Sequence, residues 1–197
     1  PTRVDDPLTK STQQLIASDY TKKSAADLAA LLAHADWRVR LEAQYTLAER
    51  GGASIALLVK IAGTANDYSR LHAIWSLGQI ARKDPQATEA LRSLLNNTDA
   101  EVRAQTLKTL GDLRDSASAE SFVAALGDDA PRVKFFAAQA LGKVKDAAAT
   151  APLLAAAHAN NDTDAYLRHA LAVALAHCAT AEQLVATATA DSRAVRL

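Results

Sequence analysis

A stretch of about fourteen residues returns five times along this chain at a spacing near thirty, and that repetition restricts the fold more than any other feature. The copies are RVRLEAQYTLAERG (38–51), YSRLHAIWSLGQIA (68–81), EVRAQTLKTLGDLR (101–114), RVKFFAAQALGKVK (132–145) and YLRHALAVALAHCA (166–179). A basic residue marks each one: Arg40, Arg70, Arg103, Lys134 and Arg168. The residue before it, taken as position zero, is Val39, Ser69, Val102, Val133 or Leu167; position eight is always leucine, at 47, 77, 110, 141 and 175. Positions 0, 4, 8 and 11 fall on one helical stripe, so each copy predicts an amphipathic helix with the same buried face. Position nine is small throughout (Ala48, Gly78, Gly111, Gly142, Ala176), which lets neighbouring helices come close.

Shorter apolar segments alternate with these helices, at about 25–33, 55–62, 85–95, 119–126, 152–158 and 181–188. Their starts carry capping signals: Ser24 with Asp27, Asp84 before Pro85, and Thr180. The second helices are expected to open after Asp36, Asn66, Asp99 and Asp164, each three residues before position zero. The unit is therefore helix, turn, helix, and one such pair cannot bury its apolar face without a neighbour. The expected fold is all-α, a right-handed α-alpha superhelix. Residues 1–23 form a lead-in or partial cap, and residues 24–197 form about five helix pairs plus a sixth that SRAVRL (192–197) begins and the chain end truncates.

Composition agrees with this and narrows the chemistry. Forty-six of 197 residues are alanine, 49% are hydrophobic and only 5% aromatic, a mixture suited to closely packed helices rather than sheets or disorder. Twenty-two Lys and Arg balance 22 Asp and Glu, which argues against a dedicated nucleic-acid binder. No apolar run approaches the roughly 18–20 residues of a membrane span. Methionine is absent and the chain starts at Pro1, so removal of an N-terminal segment is expected.

The Asp, Val-Arg, Ala, Leu-Gly pattern resembles HEAT repeats, in particular the short variety found in phycobilisome lyase-type proteins. The resemblance implies a hydrogen-bonded ladder between repeats, mapping onto Asp36, Asp99 and Asp164 and onto Arg40, Arg70, Arg103, Lys134 and Arg168. Asn66 and Ala130 depart from the acidic column, with Asp129 one position early. The stretches 38–51 and 70–83 further resemble the HEAT segment of large secreted bacterial proteins that combine a dehydrogenase-like β-propeller with a cytochrome c domain. That likeness implies an extracytoplasmic location and places any redox chemistry in flanking domains, since no Cys-x-x-Cys-His haem site occurs here.

No catalytic, cofactor or metal constellation emerges. His34, His72, His158, His169 and His177 never stand three or four apart, and His169 and His177 would lie roughly 12 Å apart along a helix. Cys178 falls in the buried position-eleven column beside Ile80, Leu113 and Val144, as a small core residue would. The informative surface is the opposite face of the second helices, positions two, three, six and ten, which lines the concave side in HEAT-like stacks. Leu41, Tyr45, Leu71, His72 and Trp75 would form an apolar and aromatic ridge there, with Phe135 and Phe136 further along. Two readings stand open: the ridge is covered by neighbouring repeats, or it docks a protein or another domain of the same polypeptide. The same face carries Glu42, Glu49 and Asp112 against Lys108 and Lys143, the wrong sign for a phosphate groove. The expected function is a non-catalytic interaction scaffold without cofactors. The alternative is a segment of an oxidoreductase or lyase whose chemistry lies outside this chain.

Overall fold

The computed structural model describes residues 6–187 and 195–196, and every regular element among them is helical. Helix α1 spans Pro7–Ile16, and a single 3-10 turn, Tyr20–Lys22, links it to the first helix pair, α2 (Ala25–Leu31) and α3 (Trp37–Glu49). Next come α4 (Gly52–Thr64) and α5 (Ser69–Ala81), then α6 (Pro85–Arg92) and α7 (Ala100–Asp112). The last elements are α8 (Ala119–Ala125) with α9 (Pro131–Val144), α10 (Thr150–Asn160) with α11 (Ala165–Cys178), and α12 (Ala181–Thr187). Apart from Val195 and Arg196, the SRAVRL segment that would open a sixth second helix lies outside the described residues.

Helix boundaries follow from side chains that occupy orphan backbone donors. Ser24 and Asp27 form a reciprocal capping box, and Thr180 and Gln183 exchange the equivalent pair of bonds. Asp84 caps α6 with Pro85 at its first position. Asp36, Asp99 and Asp164 cap α3, α7 and α11. Asn66 does not cap α5. Asp67 does the work one residue later, its carboxylate accepting the Ser69 N–H at 2.8 Å, because a charged oxygen is the stronger acceptor. In the fourth repeat Asp128, two residues before Ala130, accepts the Ala130 N–H at 2.8 Å. Helix α4 starts three residues before the expected 55 because Gly51, at φ 61°, turns the chain sharply enough for α4 to begin at once. Helix α6 stops at Arg92, short of the expected 95.

The chain divides into two compact units, residues 1–94 and 95–197. In the first, α3 and α5 pack side by side against α2 and α4, with α6 on α4 and α5 and with α1 lying on α3. Leu28, Val39, Ala43, Leu47, Leu58, Ala73, Leu77 and Leu91 are all fully buried. Arg50, the one polar member of position eleven, reaches back to the carbonyls of Thr21 and Lys23 at 3.2 and 2.5 Å, and so ties the lead-in to the first pair.

In the second unit α7, α9 and α11 run side by side, backed by α8 and α10. Val102, Leu110, Phe122, Val133, Leu141, Leu153, Leu171 and Leu175 fill its core. Here the small column has a measurable purpose. A Cβ on Gly111 would sit 2.8 Å from Ala140 Cα, and one on Gly142 3.0 Å from Ala174 Cα. Backbone therefore meets backbone between second helices of successive repeats. Across the same pair of repeats Arg103 holds Asp128 through two hydrogen bonds of 2.8 and 2.9 Å, with both side chains mostly buried. Asp128→Ala should cost about 2 kcal/mol, between the values for exposed and fully buried pairs. Urea unfolding of the two proteins side by side measures this directly.

Candidate functional site

The outward face of the second helices is where the structure departs most from the helical-wheel expectation. Position six faces solvent: Tyr45 is 45% exposed and Trp75 36%, at equivalent places on α3 and α5. Position three is exposed only in the first repeat, at Glu42. His72 and Phe136, read from sequence as part of the ridge, are buried at 6% and 7%, and Gln105 and Ala170 in the same column are buried too. The correction has a geometric cause: second helices of adjacent repeats lie side by side, so one flank of each wheel becomes an internal contact. Leu41, Leu71 and Phe135 are half-buried.

Under the ridge, the burial of His72 is organised by polar contacts between α3 and α5. Arg40 Nε–H donates to His72 Nε2 at 3.1 Å, which requires that nitrogen to be unprotonated. The proton then sits on Nδ1, 2.7 Å from Gln44 Oε1, so imidazole is neutral and its tautomer set. Burial, and next the Arg40 charge, push its pKa down from 6.5 to about 4. The same ring meets Trp75 edge-on at 5.0 Å between centroids, and the Arg40 guanidinium lies over Tyr68 at 5.0 Å. Trp75 is thus seated by a buried network rather than standing loose on the surface. In the second unit Phe135 and Phe136 form a T-shaped pair at 5.2 Å, and Arg132 covers Phe136 at 5.0 Å while bonding Glu101.

The residues assigned to a ladder serve their own helix starts for the most part. Asp36 accepts from the Arg38 N–H and side chain, which hold its carboxyl near 2. Asp164 accepts from the Tyr166 and Leu167 N–H groups, and Asp99 from those of Glu101 and Val102. Arg40 and Arg103 each donate to two carbonyls of the preceding turn, and Arg70 to that of Asp67. Arg168 pairs with Asp162 at 3.3 Å. Arg40 and Arg103 also reach the next repeat, to His72 and Asp128, where Lys134 adds to the charge holding the Asp128 carboxyl down.

Three exposed aromatics escaped the sequence reading: Trp37 (60%), Tyr68 (64%) and Tyr166 (81%). They stand one or two residues before position zero, at helix starts just after the capping acids Asp36, Asp67 and Asp164. A column drawn one place earlier, holding Tyr68 and Tyr166, would have shown the recurrence.

Among the described residues no group of three or more His, Cys, Asp or Glu could hold a metal ion. Cys178 is buried, its Sγ 3.5 Å from the Leu141 carbonyl, and burial raises its pKa, the opposite of an activated thiol. No helix among the described residues is long and apolar enough to cross a membrane. Two inter-repeat clefts open at the C-terminal ends of second helices. One, of about 300 Å³, is lined by Tyr45, Glu49, Gln79 and Lys83; the other, of about 380 Å³, by Arg114, Lys143, Lys145 and His177.

Helix pairs of near-constant length, packed through one recurring stripe and opened outward through another, define an α-solenoid repeat protein. The chain belongs to the HEAT-repeat family, whose profile matches residues 25–100 and 88–176. A comparison with curated proteins found no match. Among solved structures, the crystal structure of an engineered protein is similar with a TM-score of 0.51 and 21% identity, covering 88% of this chain and 92% of its own. A designed armadillo repeat protein in complex with the peptide (KR)4 gives 0.50 and 15%, covering 88% and 95%. At such identities the likeness is one of fold.

Proposed function

We propose that this protein is a non-catalytic scaffold that binds a segment of another protein, or of a further domain of its own polypeptide, on the outward face of α3 and α5. The observation that carries the reading is the pair Tyr45 and Trp75, large, exposed and equivalent in adjacent repeats. Leu41 and Leu71 add half-buried apolar surface beside them. Glu42 and Glu49 stand about one turn to either side of Tyr45, exposed and with no ion pair among the described residues, which favours a basic partner segment. That the designed armadillo protein of similar fold holds a basic peptide supports the same choice. The finer reading, a repeat segment cut from a larger secreted dehydrogenase with a haem domain, draws support from the stretches 38–51 and 70–83 alone.

A fluorescent peptide of alternating Lys and Arg provides the test by anisotropy. It should bind the intact chain, and Tyr45→Ala with Trp75→Ala should weaken binding at least about tenfold while helix content by circular dichroism stays the same. Equal binding by the double variant would overturn the proposal.

A further inference from the structure

The two inter-repeat clefts share several repeat positions but differ in charge: the first mixes Glu49 and Asp84 with Lys83, whereas the second is lined by cations without an acid. Glu49 and Gly51 of the first become Lys143 and Lys145 in the second, and Gln79 becomes His177. Arg114 completes the second cleft, which is also lined by Gln139, Gly142, Val173 and Ala174. Asp112 is the acid at its rim, and it is shared between Lys108 at 2.8 Å and Lys143 at 2.5 Å. Asp115 and Asp146, next in sequence to Arg114 and Lys145, take part in the following turns through Ser118 and Ala148. Arg114 and Lys145 have no ion-pair partner among the described residues.

Their backbones are as telling as their charges. Arg114 has φ 55° and Lys145 φ 58°, the left-handed region where helices usually end in glycine. The Arg114 N–H bonds the Gly111 carbonyl and the Asp115 N–H that of Leu110, both at 3.0 Å, the two bonds of a Schellman motif. The Lys145 N–H bonds the Leu141 carbonyl at 2.9 Å. A cation does favour a helix C-terminus, and α7 has none in its last turn, but in α9 Lys143 already supplies one without a strained backbone. Two consecutive repeats thus spend a glycine position on a long cation, and both cations border one cleft.

We propose that this cleft binds an acidic segment of a partner protein, its carboxylates meeting Arg114, Lys143 and Lys145 and its methylenes lying on the exposed Val173. A nucleic acid would call for cations spaced along several phosphates, whereas here they gather at one cleft beside the apolar Val173. The proposal uses none of the residues of the Tyr45 and Trp75 face, so either can fail alone.

Fluorescein-labelled hexaglutamate is titrated into the full chain at about 50 mM salt, where screening is modest. It should bind, more weakly as salt rises, and bind better than hexalysine or a short oligothymidine. Arg114→Gly with Lys145→Gly should weaken it at least about tenfold while the melting temperature holds or rises, since glycine relieves both left-handed positions. Lys145→Gln alone should give a smaller loss in a protein with the same backbone preference problem. Tyr45→Ala with Trp75→Ala should leave hexaglutamate binding intact. Unchanged affinity in the glycine variant, tighter binding of oligothymidine, or loss of hexaglutamate binding in the Tyr45 and Trp75 variant would each overturn the assignment.

Discussion

Gly111→Ala is expected to destabilise the second unit by about 3 kcal/mol, although alanine is the better helix former by about 1 kcal/mol. The new methyl would lie 2.8 Å from Ala140 Cα and 2.9 Å from its Cβ, so the obstruction is backbone on α9, which no side-chain rotation can clear. Helices α7 and α9 must separate, and the leucines buried between them lose contact along their length. Gly127→Ala is the control. Its methyl would meet only the Ala124 carbonyl at 3.5 Å, an ordinary contact, so its effect should stay within about 0.5 kcal/mol of zero. A melting temperature lowered by about 10 °C in the first variant and nearly unmoved in the second is the expected thermal result. Similar shifts in both would mean that the close approach does not govern this interface.

Acid should weaken the first unit through His72. Unfolded, this imidazole takes its proton near 6.5; folded, it resists protonation down to about 4. The unfolded chain therefore binds more protons between those values, so the full stabilisation is present above about 6.5 and falls as pH drops through that window. Below about 4 the folded imidazole is charged as well and this contribution falls no further. The whole change is of the order of 3 kcal/mol. His72→Gln keeps a neutral hydrogen-bonding group between Gln44 and Arg40 and should remove most of the difference between urea midpoints at pH 7.5 and 4.5. Persistence of the full difference would place the acid sensitivity elsewhere. Carboxylates held down by hydrogen bonds, such as Asp36 near 2, titrate lower and leave a separate signature at more acid pH. Because the folded ring that seats Trp75 stays neutral down to about 4, basic-peptide binding by the folded protein should hold across this window and weaken only as pH falls through about 4.

Much of the fold could be read in advance because it depends on local rules. The capping residues Ser24, Asp36, Asp84, Asp99, Asp164 and Thr180 all occupy the helix starts where their side-chain chemistry placed them. Asn66 failed because a carboxylate stood next to it, a competition that spacing does not weigh. The candidate site was less legible. Tyr45 and Trp75 are exposed, but His72 and Phe136 are buried, and the exposed aromatics at helix starts fall outside the columns read from sequence.

What the sequence determined by itself was the repeating unit: its period, its buried stripe, its small column and the all-helical class, since each follows from helical periodicity and backbone capping within one or two turns. Tertiary structure alone decided which flank of each second helix meets its neighbour, and so made His72 a buried neutral imidazole and Gly111 a backbone contact. It also brought Lys143, Lys145 and His177, from two helices of adjacent repeats, to one cleft with Arg114. The physical reason is that a helical wheel separates inside from outside for one helix, whereas side-by-side packing of successive helices creates a second inside that no single repeat contains.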